Sequence, residues 1–246
     1  MVNDSGGGPR IERRSADQTG ARRSLAQAAR WFAAEFLVVV CGVLVALALN
    51  AYYQGRVEAQ REAGYIQQLA ADLRESEAVL ERALAGNEAE RAKLMQLLAL
   101  FSREEAPSLE AFRELTTFSI RPVQPTLSTA QAVVETGDLN LISDDSLRSA
   151  IIQYVGAGES YNETQDAVAW EWLTPSIRDF YEIVPPGAGP RHPFAISPTE
   201  ALSQKALYHT VFDLQLGLSN HIRLQQDMLD HVRGMQGQIE RVLGEP

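Results

Sequence analysis

The sequence holds a single cysteine, Cys41, in 246 residues. An intramolecular disulfide and a thiolate metal site are therefore excluded. The fold must hold by packing alone, which is feasible at this size. Basic residues are also scarce: 22 Lys and Arg stand against 32 Asp and Glu, for a net charge of −10. After residue 53 the deficit steepens to 16 against 28, or −12. Such a surface repels nucleic-acid phosphates, so no nucleic-acid partner is expected. A glycine-rich phosphate loop and a dinucleotide fingerprint are missing too. The acidic pairs Glu104–Glu105 and Asp144–Asp145 lack the spacing of a calcium loop. Ser143 and Ser146 have no histidine close by in sequence to activate them. No cofactor, no metal and no catalytic residue is expected, and the protein reads as a non-enzyme. Strand-like alternation is absent. Long apolar runs are absent as well, with one exception.

That exception organises the chain. Trp31–Tyr53 reads WFAAEFLVVVCGVLVALALNAYY, and its one charge is Glu35. About 20 helical residues cross a hydrocarbon core of about 30 Å. Trp31 and the Tyr52–Tyr53 pair mark its ends, where amphipathic rings favour the headgroup region. Arg10, Arg13, Arg14, Arg22, Arg23 and Arg30 precede it, whereas Arg56 and Arg61 after it alternate with Glu58 and Glu62. The positive-inside bias places the N-terminus in the cytoplasm and the remainder in the periplasm of a bacterium. The rival is a cleaved signal peptide ending near Ala46-Leu47-Ala48. The long basic region and the unbroken helical sequence beyond favour an uncleaved single-pass inner-membrane anchor. The chain then divides into a disordered cytoplasmic tail (1–30), a transmembrane helix (31–53) and a helical periplasmic domain (54–246).

From Tyr53 to about Ser102 the pattern stays helical. Ile66, Leu69, Leu73, Ser76, Leu80, Ala83, Asn87, Glu90, Leu94, Leu97 and Phe101 step by three and four, a heptad seam. Its polar middle favours packing within its own domain over a coiled coil with a second chain. Shorter helices follow, capped by Ser108, Ser128 and Asp144 or Asp145. Leu147, Ile151, Ile152 and Tyr154 form one buried side. Ile120–Pro125 is extended because proline restricts its own backbone and its predecessor's. Gly137 is a helix-ending glycine. Gly156 and Gly158 are expected to interrupt a helix, and Pro175 to kink the next. Residues 184–197 hold four prolines and form a loop. Ser197-Pro198-Thr199-Glu200 opens a last helix to Leu243. Its apolar stripe is Leu207, Val211, Leu214, Leu218, Ile222, Leu229, Val232, Ile239 and Leu243. It suits antiparallel pairing with the first long helix. The expected fold is all-α: a transmembrane helix running into a long helix, then an up-and-down bundle in the periplasm.

AEFLVVVCGVLVALALNAYY, REAGYIQQLAADL and ETGDLNLISDDSLRSAIIQYV together resemble an uncharacterised group of bacterial single-pass inner-membrane proteins. There an acidic residue precedes a VVxxGVLxAL-type span and a YxxxL…DL helix. The resemblance covers residues 31–155. It implies a helical extracytoplasmic domain and no particular activity. A type IV pilin leader is also echoed by Glu35, fifth from Trp31. Arg30 stands where the processing glycine is required, and strands are missing, so that resemblance fails.

Within the span, Gly42 and Ala46 are four apart, with Ala34, Val38 and Asn50 extending the ridge. Small residues at this spacing let helices approach closely. Glu35 either snorkels to water or meets a partner's base. Glu35, Gly42, Ala46 and Asn50 are thus the candidate membrane-helix contacts, toward a second copy or another membrane protein. His209, Asp213, Asp227 and His231 fall within about 40° on one helix and form its solvated face, with each Asp an i,i+4 partner of a His. His192 sits in the proline loop without a near acid. Trp170 and Trp172 point to different sides, one toward the core. The leading function is a membrane-anchored scaffold or interaction protein of the envelope. The alternative is a periplasmic ligand-binding sensor whose signal a partner carries inward.

Overall fold

The structure, a computed structural model, describes residues 14–185 and 196–244, with the backbone alone for residues 14–30, 33 and 34. Pro186, Pro190, His192 and Pro193 of the expected loop lie outside the described residues. All regular structure described is helical, without a strand. The chain is all-α, as its periodicity predicts. It divides into two units, residues 1–60 and 61–246.

The first unit carries the opening of α1, a helix spanning Arg14–Leu100. Its first turns, from Arg14, fall within the stretch 1–30 expected as a tail. Every described side chain from Trp31 to Arg56 is exposed. Among the described residues α1 is the one helix long and apolar enough to cross a membrane. Its 18-residue apolar window has a mean hydropathy of 2.2, with none of it buried.

The second unit packs the rest of α1 with α2 (Leu109–Thr116), α3 (Ser128–Glu135) and a 3-10 turn (Asp138–Leu141). α4 (Asp145–Ala167), a π-helical segment (Val168–Leu173) and α5 (Thr174–Ile183) follow in one run. α6 (Pro198–Ser203) and α7 (Lys205–Leu243) close the chain. The caps are local and legible. Ser108 Oγ accepts from Ala111 N at 3.2 Å, Asp144 Oδ1 from Leu147 N at 2.7 Å, and Ser197 Oγ from Glu200 N at 3.2 Å. Gly137 ends α3 at φ 78°, where a Cβ is penalised.

α1 and α7 lie antiparallel. Arg233 donates to Glu77 at 2.9 Å and to Glu81 at 2.6 Å, Asn87 donates to Gln225 at 3.0 Å, and the Phe101 and Tyr208 rings meet edge-on at 5.3 Å. Ascending one helix descends the other. The seam of α1 is buried at every expected position from Ile66 to Leu97, and Phe101 is half-buried. It therefore packs inside its own chain. The α7 stripe is buried from Leu207 to Ile239, but Leu243 is exposed because the helix ends there.

Four expectations are corrected. Gly156 and Gly158 do not interrupt α4. Gly158 is there for close approach, since a Cβ would stand 2.5 Å from Leu127 Cδ2. Ile152 is exposed, while Ile151 and Tyr154 take the core side. Ser128 is the first residue of α3 and not its cap. The cap comes from α1, where Asp72 Oδ2 accepts from Thr129 N at 3.2 Å and from Ser128 Oγ at 3.1 Å. The last helix is two: Gln204, at ψ 115°, separates α6 from α7. Ser203 Oγ bonds the Glu200 carbonyl at 2.7 Å there, a local bond that competes with helix continuation.

Candidate functional site

Glu35, Gly42, Ala46 and Asn50 all lie on α1 within the first unit, and all are exposed. At 100° per residue they fall in an arc of about 80°. A Cβ placed on Gly42 would meet nothing within 4 Å. The four share one face of one helix, and within the described residues of the first unit none is covered.

The second unit contains an arrangement the sequence did not announce. Residues 117–127 run between α2 and α3 without helix or strand, so their backbone needs other partners. Buried side chains of three helices supply them. From α1, Asn87 Oδ1 accepts from Arg121 N at 3.0 Å and its Nδ2 donates to the Arg121 carbonyl at 3.1 Å. From α7, Gln225 Nε2 donates to the same carbonyl at 3.2 Å. Ser76 Oγ accepts from Thr126 N at 2.8 Å. From α4, Gln165 Oε1 accepts from Val123 N at 3.3 Å, while the Tyr161 and Tyr154 hydroxyls donate to the Val123 and Thr126 carbonyls at 2.9 and 3.2 Å. Burial raises the pKa of both tyrosines, so they remain donors across the ordinary pH range. The polar residues that dilute the heptad seam are thus the hands that hold an internal extended strap. Their chemistry is spent on backbone groups, which leaves no free nucleophile or acid among them.

His221 stands apart. It is 1% exposed, and among the described residues neither ring nitrogen makes a hydrogen bond of normal geometry, the Arg121 backbone being its one polar neighbour. Burial holds its pKa below the ordinary imidazole value, against an opposing pull from the Arg121 backbone. Sequence reasoning passed it over, because a histidine on an apolar stripe resembles any other interior position. Its one signal is its place, one turn from both Gly217 and Gln225.

No family model, curated protein or solved structure matches this sequence. The site must be read from its geometry.

The other expected residues are dispersed. His209, Asp213, Asp227 and His231 are exposed on α7. His231 Nδ1 lies 2.7 Å from the Asp227 carbonyl oxygen, so its i,i+4 partner is backbone and not the carboxylate. Among the described residues no group of three or more His, Cys, Asp or Glu is placed to hold a metal ion. Trp170 and Trp172 are both exposed, at 71% and 51%, and Leu173 takes the core position. The π-helical segment explains the departure: its wider turn shifts the register just before Pro175, whose ring cannot follow an α-helical carbonyl ladder. Thr174 Oγ1 and N both donate to the Ala169 carbonyl. An open groove of about 710 Å³ lies along Arg61, Tyr65, Gln68, Thr129 and Asp138. At its edge the Tyr65 hydroxyl donates to Asp138 at 2.5 Å, and that bond raises the tyrosine pKa.

Proposed function

We propose that the protein is a single-pass inner-membrane protein of bacteria. Its N-terminus is cytoplasmic and its helical domain periplasmic, and it acts as a non-enzymatic scaffold or interaction partner in the envelope. One observation carries this reading. The apolar stretch of α1 is wholly exposed, whereas the apolar faces of the other long helices are buried. An exposed run of this length and hydropathy is stable only against lipid or another apolar surface. The arginine excess before it supports the orientation. The commitment of the buried polar side chains to a backbone strap supports a structural role over a catalytic one. The exposed Trp170, Trp172, Tyr208 and Phe212 add aromatic surface of the kind enriched at protein contacts.

The test is topological. The full chain should stay with membranes after alkaline extraction, and a reporter active only in the periplasm, fused after Pro246, should be active. Recovery of a soluble chain starting near Leu49 would identify a cleaved leader and end the anchor reading. The groove beside Tyr65 and Asp138 favours a second reading, a ligand-binding sensor. That reading requires a small molecule to protect Tyr65 from chemical modification in the intact protein.

A further inference from the structure

The Asn87–Gln225 bond fixes the register of α1 against α7. One turn onward along α1 is Glu90, and one turn back along α7 is His221. Antiparallel helices therefore put these two in the same layer, next to the knot that holds Arg121. Both are buried, Glu90 to 8% exposure and His221 to 1%. Glu90 is paired with Lys93 at 3.2 Å, and Lys93 also donates to the Thr117 carbonyl at 3.3 Å, where the strap begins. The Arg121 carbonyl already accepts from Asn87 and from Gln225, which uses both of its lone pairs. A neutral imidazole fits this layer without a bond. An imidazolium brings two N–H donors and a charge into this buried layer; the Arg121 carbonyl favours it, but that group is already shared by Asn87 and Gln225, and burial outweighs its pull.

We propose that His221 makes this layer an acid-sensitive latch: while the imidazole is neutral, α1, α7 and the strap of residues 117–127 stay locked, and its protonation releases the strap. The charged groups on the surrounding elements are Glu90 and Lys93 on α1, Arg121 on the strap, Arg113 on α2 one turn before Thr117, and Arg223 on α7 itself. On α4, Glu159, Glu163 and Asp166 are exposed, as are Glu171, Arg178, Asp179 and Glu182 on the π-helical segment and α5. Only Glu90 is an acid buried in the layer, and Lys93 already neutralises it. The direction follows from linkage. A histidine whose folded pKa lies below its unfolded value, about 6.5, takes up its proton more readily once the site opens. Closure is unimpaired above that value and weakens as pH falls below it, until the folded pKa is reached. The latch concerns the bundle alone and stands whichever side of a membrane the bundle occupies.

The strap carries its own reporters. The amides of Arg121, Val123 and Thr126 are bonded to side chains and not to a helix ladder, so their hydrogen exchange reads the lock directly. In the full chain in detergent micelles, protection factors at these amides, corrected for intrinsic pH dependence, should fall about tenfold between pH 7.5 and 5.5, one pH-unit equivalent of linkage. The fall should vanish in His221→Gln and in His221→Phe. It should persist in His231→Gln, which changes an exposed ring. If one His221 variant does not fold, the other serves. A parent that keeps full protection at pH 5.5 would mean that Glu90 accommodates the imidazolium, and the proposal fails. An equal fall in parent and variants would place the acid response elsewhere, and the proposal also fails.

Discussion

Single positions in this chain divide by what a small change would touch. Gly156 and Gly158 lie two apart on α4, yet only Gly158 faces Leu127, with no room for a methyl group. Gly158→Ala should destabilise the protein by about 1–3 kcal/mol, the usual cost of overpacking. Gly156→Ala meets open space on an exposed helix face and should stabilise by up to about 1 kcal/mol. Denaturant melts of the two variants, compared at equal slope, decide the matter. Equal effects would mean that the Leu127 contact yields freely. The same contrast holds on α7. Leu218 is fully buried and His209 exposed. Leu218→Ala should cost about 2–5 kcal/mol, while His209→Ala should be near neutral. A larger loss from His209 would place the apolar stripe on the wrong face.

At the scale of elements, the α1–α7 pair is held by apolar layers, with an ion pair at its surface. Hydrogen bonds from Arg233 and Gln236 hold the Glu77 carboxyl below the usual carboxylate range. The contribution is present above the unfolded carboxylate value and is lost as pH falls through the lower folded one. Glu77→Gln should therefore cost little at neutral pH, within about 1 kcal/mol for an exposed pair, and nothing near pH 2. Stability curves of parent and variant that stay parallel down to that pH would show the pair to be idle. Helix pairing of this kind was legible in sequence because both stripes repeat at helical spacing, and the burial of Ile66–Leu97 and Leu207–Ile239 follows them. The strap was legible only as an extended piece. Its prolines exclude helix, but nothing local states which side chains will bond Arg121, Val123 and Thr126. Those partners come from sequence positions 34 to 104 residues away. Ser76 and Asn87 look like flaws in a heptad until the strap lies across them. The exposed tryptophans escaped for a similar reason, since a π-helical turn changes the register without an unmistakable local mark.

For the whole molecule, the apolar stretch of α1 stands exposed while the second unit encloses an apolar core of its own. The contacts proposed for the span rest on spacing, together with the exposure of all four side chains. In hydrocarbon there is little hydrophobic drive between helices, so close packing and polar contacts must supply any attraction. Gly42 and Ala46 permit close backbone approach, and Asn50 and Glu35 offer polar groups on the same face. Leu44 lies about 200° from Gly42 and so on the opposite side. Gly42→Ile should weaken association of the isolated span in a membrane reporter assay by about 1–2 kcal/mol, the size of an interhelical polar contact in membranes. Leu44→Ile should leave it unchanged, because it alters shape but not volume on the far face. If parent, Gly42→Ile and Leu44→Ile give the same signal, the span is a plain anchor. Contact with partners then belongs to the bundle, and its exposed aromatic side chains at Trp170, Trp172, Tyr208 and Phe212 become the first positions to change.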